Sequence, residues 1–173
     1  ELKFSSEHAP QLIHEILELI EETRSQTSDT ASSTLEGKDI DSEIIHLVLR
    51  RNKIQSEVMP SKAIKTGKGL EHESWIRLNK EDKRLLIFAK IFIKDQAFDD
   101  QITEIIQKQE DRESIVSLRL VRDSGPQHLY ASHSLPFDNG IPIRLFIRCL
   151  QRFCMDLAAV YTFDKESILK KKS

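Results

Sequence analysis

The sequence predicts an α+β fold: a mainly antiparallel five-stranded sheet, ordered as three strands, a helix and a two-strand hairpin, packed by N- and C-terminal helices. Three observations carry this. Short runs of alternating or doubly apolar residues are joined by polar turns, which is how hairpins read. Apolar residues at helical spacing bracket those runs. The strands arrive in hairpins and not in βαβ units with glycine-rich phosphate loops, so a parallel doubly wound sheet is excluded.

Residues 1–24 contain the first element. From His8 to Arg24 the stripe Leu12, Ile13, Ile16, Leu17 and Ile20 recurs at one, three and four residues, with glutamates on the other face. Pro10 suits its first turn. Residues 25–39, "SQTSDTASSTLEGKD", hold almost no apolar side chain and read as a flexible linker. The α+β domain is expected over residues 40–163. Asp39 or Asp41 can cap a helix over "SEIIHLVLRRN", although so dense an apolar run also admits a strand. "KIQSEVMPSKAIKTGKG" carries a proline and glycines and reads as one irregular or edge strand with a loop.

"ESWIRLN" and "RLLIFAKIFI" flank the polar turn Lys80 to Lys83 and form a hairpin. In the second run Leu85, Ile87, Ala89, Ile91 and Ile93 share one face, while Leu86, Phe88, Lys90 and Phe92 share the other. Both faces are mostly apolar, so both call for a cover. Asp95 is the expected cap of a helix with Phe98, Ile102, Ile105 and Ile106 on one side. "SIVSLRLVR" points Val116, Leu118 and Leu120 inward, and "HLYASHSL" returns with Leu129, Ala131 and Leu135. Asp138-Asn139-Gly140 turns the chain, and a long helix opens near Pro142. Its stripe is Phe146, Leu150, Phe153, Leu157 and Val160. Residues 164–173 form a basic, solvated tail.

Composition bounds the function. Of 173 residues, 39% are apolar and 31% charged, and the net charge of −2 gives no broad attraction for nucleic acid. No apolar run approaches the ~18 residues of a membrane span, and no secretory signal is visible, so membrane insertion is not expected. Cys149 and Cys154 lie five apart on one helix, where side chains point ~140° apart, so they do not pair. A cytoplasmic location follows from that cysteine usage.

Catalytic and cofactor signals are missing. His72 lacks the partner that a zinc-protease helix would place four residues on, and His128 and His133 face opposite ways on one strand. "KTGKGL" lacks the glycine spacing and the Ser/Thr of a phosphate loop, and Ser132 and Ser134 lack a nucleophile elbow. No catalytic residue, cofactor or metal is therefore expected, and the protein is read as a non-enzyme. The candidate protein-binding residues are Trp75, Leu86, Phe88 and Phe92 on the sheet, where large apolar anchors stand on a spare face. Arg144, Arg148 and Arg152 join them as a basic stripe along the last helix.

The run "RLLIFAKIFI", a helix, and then "HLYASHSLPFDNGIPIRLFIRCLQRF" resemble the YbjN-like proteins and the type III secretion chaperones that share their fold. The phrase carrying the resemblance is Tyr130, Leu135, Pro136, Asp138 and Gly140, within roughly Ile40 to Phe163. The adaptor subunits of type IVB (Dot/Icm-type) secretion systems are similar in fold. The resemblance implies a protein-binding chaperone or adaptor whose partners are client or effector proteins or secretion-complex subunits. It implies a homodimer or a hetero-complex; a stand-alone YbjN-like regulatory protein is the alternative.

Overall fold

The computed structural model describes residues 34–35, 40–95, 97–122, 125–165 and 167–170. The predicted helix over residues 8–24 lies outside them, as does most of the expected linker. The elements are β1 (Thr34–Leu35), α1 (Ser42–Arg51), β2 (Ser56–Val58), β3 (Ile64–Thr66), β4 (Trp75–Asn79) and β5 (Arg84–Phe92). There follow α2 (Asp99–Glu110), β6 (Ser117–Val121), β7 (His128–Pro136), β8 (Ile141–Pro142) and α3 (Ile143–Phe163).

The α+β class holds, and the main sheet is antiparallel in the order β2-β3-β4-β5-β7-β6. It has six strands and not five. The region expected to give one irregular strand forms two short ones, β2 and β3, in register from Ser56↔Thr66 to Val58↔Ile64. Each is only three residues long, too short for alternation to show. The loop after β3 closes on the end of α1: Gln55 N–H donates to Lys68 O (2.8 Å) and Gly67 N–H to Gln55 O (2.9 Å). Gly69 (φ 104°) permits this approach, because a Cβ there would stand 2.6 Å from Lys53 O.

α1 begins where the sequence places it, with Asp41 Oδ1 accepting from Ile44 N–H at 2.8 Å. The turn between β4 and β5 is shaped by Asn79, whose side chain donates to Asp82 Oδ2 and accepts from Asp82 N–H. α2 starts later than expected. Asp95 is not its cap; the helix opens at Asp99, and Gln101 Oε1 accepts from the N–H of Phe98, the residue before it. Phe98 consequently stands outside the buried stripe and is 72% exposed, while Ile102 and Ile105 are buried.

The core lies on one side of the sheet. Ile76, Leu85, Ile87, Ile91, Leu129 and Ala131 merge with the buried stripes of the three helices. Phe146, Leu150, Phe153, Leu157 and Val160 of α3 are completely enclosed, so its periodicity in the sequence marked the central helix of the core. The joint before it also matches expectation. β7 ends at Pro136, Gly140 (φ 81°) turns the chain with its N–H on Phe137 O, and α3 follows Pro142.

Within the expected flexible linker and the expected basic, solvated tail, some of the described residues pack against the domain. In the expected linker, Leu35 is buried and pairs with Ile141, with Thr34 opposite Pro142. In the expected basic tail, Ile168 and Leu169 are buried and Leu169 bridges Ile93. Lys94 N–H donates to Ile168 O and Lys170 N–H to Phe92 O, both at 2.8 Å. Both oxygens of the Asp164 carboxylate hold the turn, accepting from Ile168 N–H and Leu169 N–H. Apolar pairs inside lysine-rich or serine-rich stretches leave too little periodicity to be read.

Candidate functional site

The register of the sheet sorts its side chains. Trp75 lies opposite Phe88 and Arg77 opposite Leu86, while on the far side of β5 Phe88 faces Ser132, Lys90 faces Tyr130 and Phe92 faces His128. These residues share the face turned away from the core. Among the described residues no helix lies over it. Arg77, Lys90 and Arg119 are exposed, Trp75, Leu86 and Tyr130 are half-buried, and Phe92 is 43% exposed. Phe88 is 8% exposed yet lies outside the core cluster, so its cover comes from neighbouring side chains.

Those neighbours form a stacked ladder. Trp75 and Phe88 have ring centroids 6.5 Å apart, and Phe88 and Tyr130 are at 5.6 Å. Cations lie over the rings: Lys65 above Trp75 at 6.0 Å, Arg77 above Phe88 at 5.5 Å, and Arg119 above Tyr130 at 5.4 Å. Burial raises the Tyr130 hydroxyl pKa against the opposing pull of Arg77 and Arg119, so the ring stays neutral beside its cations. The long side chains cover apolar area with their stems and keep their charges wet.

On the β4 side of this ladder the surface sinks into a groove of about 600 Å³, floored by Trp75, Phe88 and Phe92 and bordered by Arg77, Lys90 and Lys170. Its end wall is His72 stacked on Tyr161, with ring centroids 5.6 Å apart and Nε2 3.3 Å from the phenol oxygen. Burial lowers the His72 pKa, so this ring is neutral near pH 7. Lys65 is ion-paired with Glu73 at the rim, whereas Arg77 and Lys90 have no carboxylate within ion-pair distance among the described residues. The groove is therefore lined by aromatic rings and by Arg77, Lys90 and Lys170, with Glu73 as its one carboxylate.

Four of the seven candidate residues, Trp75, Leu86, Phe88 and Phe92, fall on this face. The three arginines do not join them. Arg144 and Arg148 are exposed on α3, the helix that covers the core side. Arg152 is engaged within the chain, its Nε 3.0 Å from Asp156 Oδ1 and its Nη2 donating to Glu113 O. Asp156 is buried and also accepts from Ser114 Oγ (2.9 Å) and Ile115 N–H (3.0 Å), so this cluster joins α3 to the start of β6. Sequence reasoning missed Tyr130, Arg77, Lys90, His72, Tyr161 and Lys170. Tyr130, Arg77 and Lys90 were readable from strand alternation; His72 and Tyr161 are 89 positions apart and carried no signal.

Among the described residues no group of three His, Cys, Asp or Glu side chains could hold a metal ion. Cys149 and Cys154 are free thiols, and burial pushes the Cys154 thiol up to about 11, leaving it protonated. No helix among these residues is long and apolar enough to cross a membrane.

No protein-family model matches the chain, and a search of curated proteins finds no match. Solved structures do resemble it. YbjN from E. coli, a proposed transcription regulator, superposes with a TM-score of 0.62 at 14% identity, over 75% of this chain and 95% of that one. An uncharacterized protein from Methanothermobacter thermautotrophicus gives 0.54 at 14% identity, over 75% and 99%. The HopA1-SchA chaperone-effector complex lies further off, at 0.47 and 11% identity over 70% and 90%. The chain thus has the YbjN-like fold that its sequence resembles.

Proposed function

We propose that this chain is a non-enzymatic protein-binding chaperone or adaptor that holds client segments on the open face of its sheet. In its more specific form the reading assigns it to a bacterial secretion system, recruiting effector proteins as a homodimer or within a hetero-complex. The observation that carries it is the aromatic ladder Trp75–Phe88–Tyr130 with Phe92 beside it. On that face Phe92 is 43% exposed, Trp75 and Tyr130 are half-buried, and the cover over the rings is cationic side chains, which supports a surface kept for a partner. Apolar anchors would supply the affinity, and Arg77, Lys90 and Arg119 would select acidic flanks and speed the encounter. The alternative is a stand-alone regulatory protein of the YbjN kind, with which the shared fold is equally consistent and which would use the same face.

The test is affinity capture from the native host, comparing the full chain with Phe92→Ser/Lys90→Glu. Both side chains are exposed, so the variant should keep its melting temperature. Secretion substrates or secretion-complex subunits lost only from the variant would establish the specific form. Regulatory partners lost instead would support the alternative. If nothing is lost, the face is not the binding surface.

A further inference from the structure

The chain carries a segment whose chemistry matches the groove. Residues 8–24 present the stripe Leu12, Ile13, Ile16, Leu17 and Ile20, and on a helix Glu15 and Glu21 border that stripe on its two sides. Four glutamates and one arginine make it acidic, and the groove lining carries Arg77, Lys90 and Lys170 against one carboxylate, Glu73, which is ion-paired with Lys65. Length fits as well. A 17-residue helix is about 25 Å long, close to the roughly 30 Å of the nine-residue β5. The anchor point is β1, which pairs with β8 just after the joint where Phe137 N–H meets Lys83 O, next to the start of β5. From Arg24 to Thr34 the chain can span at most about 35 Å, more than the roughly 30 Å length of β5.

We propose that residues 8–24 dock in cis as an acidic amphipathic helix in the groove over Trp75, Phe88 and Phe92, and that a client must displace them. The apolar stripe covers the ladder, and Glu15 and Glu21 meet Arg77 and Lys90. The displacement step rests on the outer face being the client surface; the docking itself does not. The segment lowers apparent client affinity by the fraction of time that it occupies the groove.

Trp75 is the chain's one tryptophan and lies on the groove floor, so its fluorescence reads occupancy directly. The experiment compares iodide and acrylamide quenching in the full chain and in Ile16→Glu/Ile20→Glu, both checked as monomers by light scattering. Docking in cis predicts a blue-shifted, shielded Trp75 in the full chain. The variant should show a red shift and severalfold stronger quenching, reversed by a synthetic peptide of residues 8–24. Equal quenching in the two proteins would overturn the proposal. Shielding lost on dilution, together with a dimer mass, would make the occupant a second copy and would overturn docking in cis. A shielded Trp75 in a protein whose captured partners ignore Phe92→Ser/Lys90→Glu would leave the docking intact and remove only the client reading.

Discussion

At the scale of single residues, the tightest polar arrangement is the one around Asp156. Three donors meet a buried carboxylate there: Ser114 Oγ, Ile115 N–H and Arg152 Nε. Asp156→Ala would strand the Ile115 N–H and the Ser114 hydroxyl in a half-buried place, costing about 3 kcal/mol. For a chain of this size that lowers the melting temperature by roughly 10 °C. Arg152→Ala should cost only about 1 kcal/mol, because the guanidinium is half exposed and Asp156 keeps its other donors. Thermal melts of the two variants check the order; an equal loss would mean that the ion pair, and not the hydrogen-bonded loop, is what matters. None of this was legible in the sequence, where Arg152 reads as one of three evenly spaced arginines and Asp156 as a polar interruption of a stripe. Long-range polar pairs leave no periodic trace.

At the scale of elements, α3 shows how far periodicity reaches. Five residues spaced four, three, four and three apart all became fully enclosed, since a 3.6-residue repeat fixes which side meets the sheet. Leu150→Ala should therefore cost about 2–5 kcal/mol, measured by denaturant unfolding, and Leu150→Asp should leave no cooperative transition. A near-neutral Leu150→Ala would contradict the enclosed position. The two long hairpins were equally readable, because Lys80 to Lys83 separates one pair of apolar runs and "SIVSLRLVR" and "HLYASHSL" alternate clearly in the other. β2, β3, β1 and the bridge at Leu169 were not, because two- or three-residue pairings are decided by neighbours in space and not by their own pattern. The candidate face follows the same division. Trp75, Phe88 and Phe92 announced themselves as large side chains on the spare side of a strand, while the His72–Tyr161 wall required the fold to bring it together.

At the scale of the whole molecule, acid should weaken the fold before the carboxylates titrate. Burial lowers the pKa of His72 and of His133 in the native chain. The unfolded chain, with imidazoles near their ordinary value of about 6.5, then takes up protons first as pH falls. Stability contributed by the two neutral rings is fully present above about pH 7 and declines below about 6.5, levelling once the native rings also charge. Melting temperatures measured from pH 8 to pH 5 should fall over that window, and replacing both histidines by Gln should flatten the decline. A midpoint that is constant or rising towards pH 5.5 would refute the assignment.

The C-terminal bridge has a practical corollary. Because Lys170 hydrogen-bonds to the last residue of β5 and borders the groove, a group attached at position 170 stands at the lip of the aromatic trough. An affinity handle grafted there would compete with whatever the trough accommodates, whereas a small dye at the same spot would sit within energy-transfer range of the lone indole and signal each arrival.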